Sequence, residues 1–130
     1  MNDANFFGFI LFLDLFDLFS YIIQIKRNDL AEKEYVILSG ECARKRHFLK
    51  TEKGKIIYFV VQLEIEFENE WKPVVRYDCA HGFSHIDRYD KKGKKRKELL
   101  DLPFDEALTL ADEDINTNWE DYKIKFLRGG

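Results

Sequence analysis

Residues 55–68, Lys-Ile-Ile-Tyr-Phe-Val-Val-Gln-Leu-Glu-Ile-Glu-Phe-Glu, decide the fold. Phe59, Val61, Leu63, Ile65 and Phe67 alternate with Val60, Gln62, Glu64 and Glu66. A period of two sends the odd residues to one face of a strand and the even ones to the other. The odd face is buried and the even face is largely polar. Shorter segments of similar character lie on both sides. Val36–Lys50 is a strand candidate that ends in the turn Thr51-Glu52-Lys53-Gly54. Glu68-Asn69-Glu70 turns the chain back into Trp71–Asp78. Phe83–Tyr89 follows Cys79-Ala80-His81-Gly82, and Lys95–Leu100 follows the turn Lys91-Lys92-Gly93-Lys94.

The period then changes. Phe104, Leu108, Ala111, Ile115, Trp119, Tyr122 and Phe126 are spaced 4, 3, 4, 4, 3 and 4, which is one stripe of a helix. Asp101 is placed to cap it, and Pro103 suits its first turn. Asp105 and Glu106 sit at the positive end of the helix dipole, and Lys123 and Lys125 at the other. A stripe this apolar lies across the buried sheet face. The expectation is an α+β domain over residues 36–127: an antiparallel meander of four or five strands with a C-terminal helix across one face.

Residues 1–25 form a separate apolar segment, joined by a polar linker at 26–35. Six of the 12 phenylalanines fall in the first 19 residues. Asp14 and Asp17 interrupt the run, and no Lys or Arg precedes it, so neither a stable membrane span nor a signal peptide is expected. With Ser20, the two Asp would make a narrow polar stripe on an otherwise apolar helix. Such a helix packs on its own domain or on a second copy, and a homodimer through residues 6–25 is one expectation.

The remaining composition narrows the class. The 130 residues suit one domain, and 45% hydrophobic content argues against disorder. Two cysteines, Cys42 and Cys79, exclude a disulfide-rich scaffold, and free thiols in the cytoplasm are expected. Abundant Lys and Glu with few Gln lean toward a thermophilic source. The net charge of −3 hides a basic centre: residues 41–100 carry 15 basic and 10 acidic groups between acidic ends. Lys91–Lys97 holds six basic residues out of seven. Together with Arg44, Arg46 and Arg88, its residues Lys91, Lys92, Lys94, Lys95 and Arg96 could steer a polyanion, if they are not simply a solvated hairpin tip.

Registering the hairpins brings polar residues together. A three-residue turn at Glu68–Glu70 pairs Phe67 with Trp71, Leu63 with Val75, Gln62 with Arg76 and Val60 with Asp78. A four-residue turn at Cys79–Gly82 pairs Asp78 with Phe83 and Arg76 with His85. The second face then carries Glu64, Arg76, Asp78, His85 and Asp87, with His81 in the loop beside them. An imidazole can take or give a proton when a carboxylate orients it, and an Arg can hold a phosphate. Those are the parts of a metal-independent ribonuclease without cofactor. In that reading His85 is the acid/base, His81 assists, Arg76 binds phosphate, and Asp78 and Asp87 orient. Two alternatives stand beside it: a surface ion-pair lattice, and a metal site on His81, His85, Asp78 and Asp87.

The run Val74-Val75-Arg76-Tyr77-Asp78, then Ala80-His81-Gly82-Phe83, His85, Asp87 and Trp119-Glu120-Asp121-Tyr122, resembles a family of small, functionally uncharacterised bacterial and archaeal proteins. The likeness covers about residues 40–127. More distantly, Arg-Tyr-Asp followed by a Gly-led histidine segment is similar to the TumE-type toxins of toxin–antitoxin pairs, with Asp87 standing where that pattern has a second His. The likeness implies that Arg76, Asp78 and His85 are functional, that RNA is the target, and that an antitoxin protein is a partner. The competing expectation is a non-enzymatic interaction module working through the Phe-rich N-terminal segment.

Overall fold

A computed structural model describes residues 29–129. The N-terminal apolar segment, and the dimer expected through it, lie outside these residues. Six strands follow in chain order: β1 (Leu30–Gly40), β2 (Ala43–Glu52), β3 (Lys55–Phe67), β4 (Glu70–Asp78), β5 (His85–Tyr89) and β6 (Lys95–Leu99). One helix, α1 (Phe104–Leu127), closes the chain. The strands form a single antiparallel sheet in the order β1-β2-β3-β4-β5-β6. The α+β meander is as expected, but it has six strands instead of four or five.

The extra strand comes from the stretch 36–50, which is two strands and not one. Gly40 pairs with Ala43 across Glu41-Cys42, and β1 reaches back to Leu30, opposite Glu52. Leu30–Tyr35, read as linker, is therefore strand. Among the described residues it is an edge strand paired with β2 alone, and Glu32, Lys33 and Glu34 are exposed and mimic a linker.

The β3–β4 turn is tighter than expected. Glu68 and Asn69 both have positive φ, 54° and 64°, as a two-residue hairpin with the right twist requires. Phe67 therefore pairs with Glu70, not Trp71. A bulge restores the expected register. Glu64 faces Pro73 and Leu63 faces Val75, so Val74 is the extra residue. It adjoins Pro73, which has no N–H to give to a ladder. Beyond the bulge Gln62 faces Arg76 and Val60 faces Asp78, as the alternation requires.

Helix α1 crosses the odd-numbered face of β3. Phe59, Val61, Leu63, Ile65 and Val75 from the sheet, and Ala107, Ala111 and Ile115 from the helix, are fully buried. Phe104 and Phe126 close the ends, edge-on to Phe59 and Phe67. The helix starts one residue after Pro103, which holds the cap position without a side-chain hydrogen bond; Asp101 does not cap it. Gly40 lies under the Trp119 ring, where an added Cβ would stand 2.6 Å from Cη2. Among the described residues no helix is long and apolar enough to cross a membrane.

A buried Arg–Asp–His candidate site

Strands β4 and β5 position the site. Strand β5 begins at His85, not Phe83, because the connection spans the six residues Cys79–Ser84 instead of four. Asp78 therefore pairs with His85 and Arg76 with Asp87. The pairing has slid by two residues from the expected register. A shift of two preserves the face, so Arg76, Asp78, His85 and Asp87 all project from the side opposite α1.

The resulting centre is buried. His85 is 1% exposed, Asp87 2% and Asp78 3%. His85 Nε2 lies 2.7 Å from Asp78 Oδ1 and 3.7 Å from Asp87 Oδ2. Asp78 accepts three hydrogen bonds. Arg76 Nε donates to Oδ2 at 2.5 Å, and the Ala80 N–H donates to Oδ1 at 3.1 Å beside the His85 ring. Burial alone would raise the Asp78 carboxyl. The bonds from Arg76 and the Ala80 N–H outweigh it and hold the group below its ordinary value. An ionised Asp78 is an acceptor only, so a neutral His85 carries its proton on Nε2 and its lone pair on Nδ1. Among the described residues that Nδ1 has no hydrogen-bond partner, and neither does Asp87 Oδ1.

His81 is not in this bonded group. It lies in the exposed loop, its ring stacked at 6.4 Å from that of His85, with the Phe83 ring tilted 6.1 Å from His85. The expected four-residue metal set is thus reduced to three. One ligand atom each from Asp78, His85 and Asp87 lies within 4.8 Å of the others. Such a trio could hold a divalent ion between the two carboxylates and His85 Nε2 once the ring proton moves to Nδ1, with Arg76 behind Asp78.

The basic residues separate by strand parity. Arg44 and Arg46 share the site's face, but both donate to Glu64, at 2.6 and 3.1 Å. Gln62 also donates to Glu64. Burial raises the Glu64 carboxyl, and these bonds more than reverse the shift. Arg44 also stacks over Trp71. These two arginines are thus engaged within the sheet. Lys91 Nζ donates to the Leu127 carbonyl and ties the β5–β6 hairpin to the end of α1. Lys92 is exposed at the hairpin tip. Arg88 projects toward α1, donating to Tyr122 and Glu98. Lys94, Lys95 and Arg96 line a cleft beside it.

A second polar group lies on the helix side, where the sequence suggested only apolar packing. Lys45, 3% exposed, pairs with Asp112 and donates to Asn116 at 2.7 Å. His47 Nε2 lies 3.0 Å from the same Asp112, under the stacked ring of Tyr35. Burial, then the charge of Lys45, lowers the His47 pKa, and the Asp112 bond only partly offsets them. Alternation in Arg44-Lys45-Arg46-His47 was the available signal, since it sends alternate members to opposite faces.

Comparison with known proteins places the chain without adding an activity. No curated protein and no solved structure matches it. One family model does, over residues 30–130, which is all six strands and the helix. The chain belongs to that family, described as a domain of unknown function, DUF7718.

Proposed function

We propose that this protein acts on RNA through an acid–base dyad, His85 and Asp78. One observation carries the reading: His85 is held at Nε2 by an ionised carboxylate while, among the described residues, its Nδ1 is left without a partner. A histidine fixed in that tautomer is a general base. Nδ1 takes the proton of a ribose 2′-hydroxyl, and the 2′-oxygen attacks the adjacent phosphorus. The 5′-oxygen leaves as an alcohol, with His81 in the loop as the proton donor. The products are a 2′,3′-cyclic phosphate and a 5′-hydroxyl end, and no oxidant or cofactor is needed. Arg76 spends Nε on Asp78 and one terminal N–H on Gln62, so further N–H groups remain for a phosphate. The reading requires the exposed rings of His81 and Phe83 to move aside. The resemblance of Arg76-Tyr77-Asp78 and the following histidine segment to TumE-type toxins supports the same class, with an antitoxin as partner.

Incubation of the purified protein with total RNA tests this, in EDTA and in magnesium, comparing wild type with His85→Ala and Arg76→Ala. Cleavage in EDTA that both changes abolish is expected. Cleavage only with added metal would favour the second reading, in which Asp78, His85 and Asp87 hold a divalent ion. No cleavage in either buffer, or cleavage indifferent to both changes, would return the chain to a non-enzymatic interaction module.

A further inference from the structure

A cleft of about 490 Å³ opens between the β5–β6 hairpin and the last turns of α1. Its lining is one-sided in charge. Arg88, Lys94, Lys95, Arg96 and Lys125 face it, against the single carboxylate of Asp90. That carboxylate is already engaged, because Asp90 Oδ1 accepts the backbone N–H groups of Lys92 and Lys94 and so holds the turn. Among the described residues Lys94, Arg96 and Lys125 form no ion pair, so their charges are not neutralised in place. Tyr122 adds a half-buried aromatic wall. Cations converging on a concave surface beside an aromatic ring are what a nucleotide needs: charge for its phosphate and a face for its base.

We infer that this cleft binds a nucleotide phosphate, either of an RNA strand or of a free mononucleotide. The inference deepens the RNA-acting reading and rests on it for the ligand class. It adds a binding site distinct from the dyad. The two are linked through the hairpin: Lys95 lines the cleft, and its Nζ lies 3.8 Å from Asp87 Oδ2 in the dyad's surroundings. A strand held in the cleft therefore runs past the edge strand β6 toward the His85 side of the sheet. The size of the cleft suits one nucleotide. Longer RNA gains its affinity from Lys92 and Lys97, both exposed on the same hairpin.

The test is equilibrium binding of three probes to the full chain: a labelled single-stranded RNA decamer, AMP and inorganic phosphate. Wild type is compared with Lys94→Glu/Arg96→Glu/Lys125→Glu, and with Lys55→Glu on a distant hairpin as a charge control. Each neutralised phosphate contributes about 0.7 to the slope of log affinity against log salt for single strands. The triple variant should therefore lower the RNA slope by about 2 and weaken binding by roughly tenfold or more near 0.1 M salt. Lys55→Glu should leave both unchanged. AMP bound by wild type and lost in the triple variant supports a site that takes the free nucleotide. RNA bound with no AMP binding supports the same cleft as a polymer track. Binding of no probe, or RNA binding that the triple variant keeps, overturns the inference. Failure of the dyad is separable: RNA held in the cleft but not cleaved sinks the catalytic reading alone.

Discussion

Replacing Asp78 with Asn should cost far more than a change from oxygen to nitrogen suggests. Asp78 is almost fully buried and accepts from Arg76 Nε, the Ala80 N–H and His85 Nε2. Three donors thus converge on two oxygens. The amide offers one oxygen and turns the other position into a donor. If its nitrogen takes the place of Oδ2, it faces Arg76 donor to donor. If it takes the place of Oδ1, it faces the Ala80 N–H, and His85 must move its proton to Nδ1 to accept. Either orientation forfeits one charge-assisted hydrogen bond, about 1.5–3 kcal/mol, and strands a buried donor, about 1–3 kcal/mol. The total is about 4 kcal/mol. A domain of this size shifts its Tm by roughly 4–8 °C per kcal/mol, so a drop of about 15–30 °C follows. Urea and thermal unfolding followed by tryptophan fluorescence measure the cost, and ring ¹⁵N shifts report the His85 tautomer. The reasoning is refuted if Asp78→Asn melts within a few degrees of wild type and His85 keeps its proton on Nε2.

Other consequences concern the rest of the sheet. The depressed pKa of His47 means the folded state takes up fewer protons there than the unfolded chain does. Stability from its neutral form is complete above about pH 6.5 and is lost as pH falls below it. Urea midpoints from pH 7.5 to 5 should decline in wild type and flatten in His47→Gln. Asp78, Glu64 and Asp112 are also held low, and their contribution vanishes only on further acidification, below about pH 4. The Lys45–Asp112 pair should respond asymmetrically. Asp112→Ala leaves a buried ammonium with only Asn116 and should cost about 3 kcal/mol. Lys45→Met leaves a carboxylate with a 44% exposed side chain that water can solvate, and should cost under about 1 kcal/mol. Gly40→Ala drives a methyl into the Trp119 ring and should destabilise by about 1–2 kcal/mol, with a shift in Trp119 fluorescence.

How far the sequence carries can be traced residue by residue. The alternation of Phe59 to Phe67 determines parity, and parity is robust to errors of two. The connection after Asp78 is six residues long, not four, yet Arg76, Asp78, His85 and Asp87 still share a face. The β3–β4 turn is one residue shorter than the spacing predicts, which would invert the face if Val74 did not bulge beside Pro73. Strand β1 was hidden for a different reason. Among the described residues its charged first half pairs with β2 alone, and edge strands need no apolar alternation there. What periodicity cannot express is partnership between distant elements. Arg44 and Arg46 looked free to meet a polyanion, but Glu64 takes both. Asp112 looked like one more helix-surface carboxylate until packing brought Lys45 and His47 to it. The cleft at the hairpin likewise needs Lys125, which lies far along the chain from Lys94.

The central claim is that His85 Nδ1, freed by the Asp78 bond at Nε2, is the working base on RNA. Its most direct test is end-group analysis of RNA treated with wild type and with His85→Ala in the presence of EDTA. Fragments ending in 2′,3′-cyclic phosphate from the wild type, and none from a folded His85→Ala protein, are predicted. The same fragments from both proteins, or intact RNA from both, would contradict it.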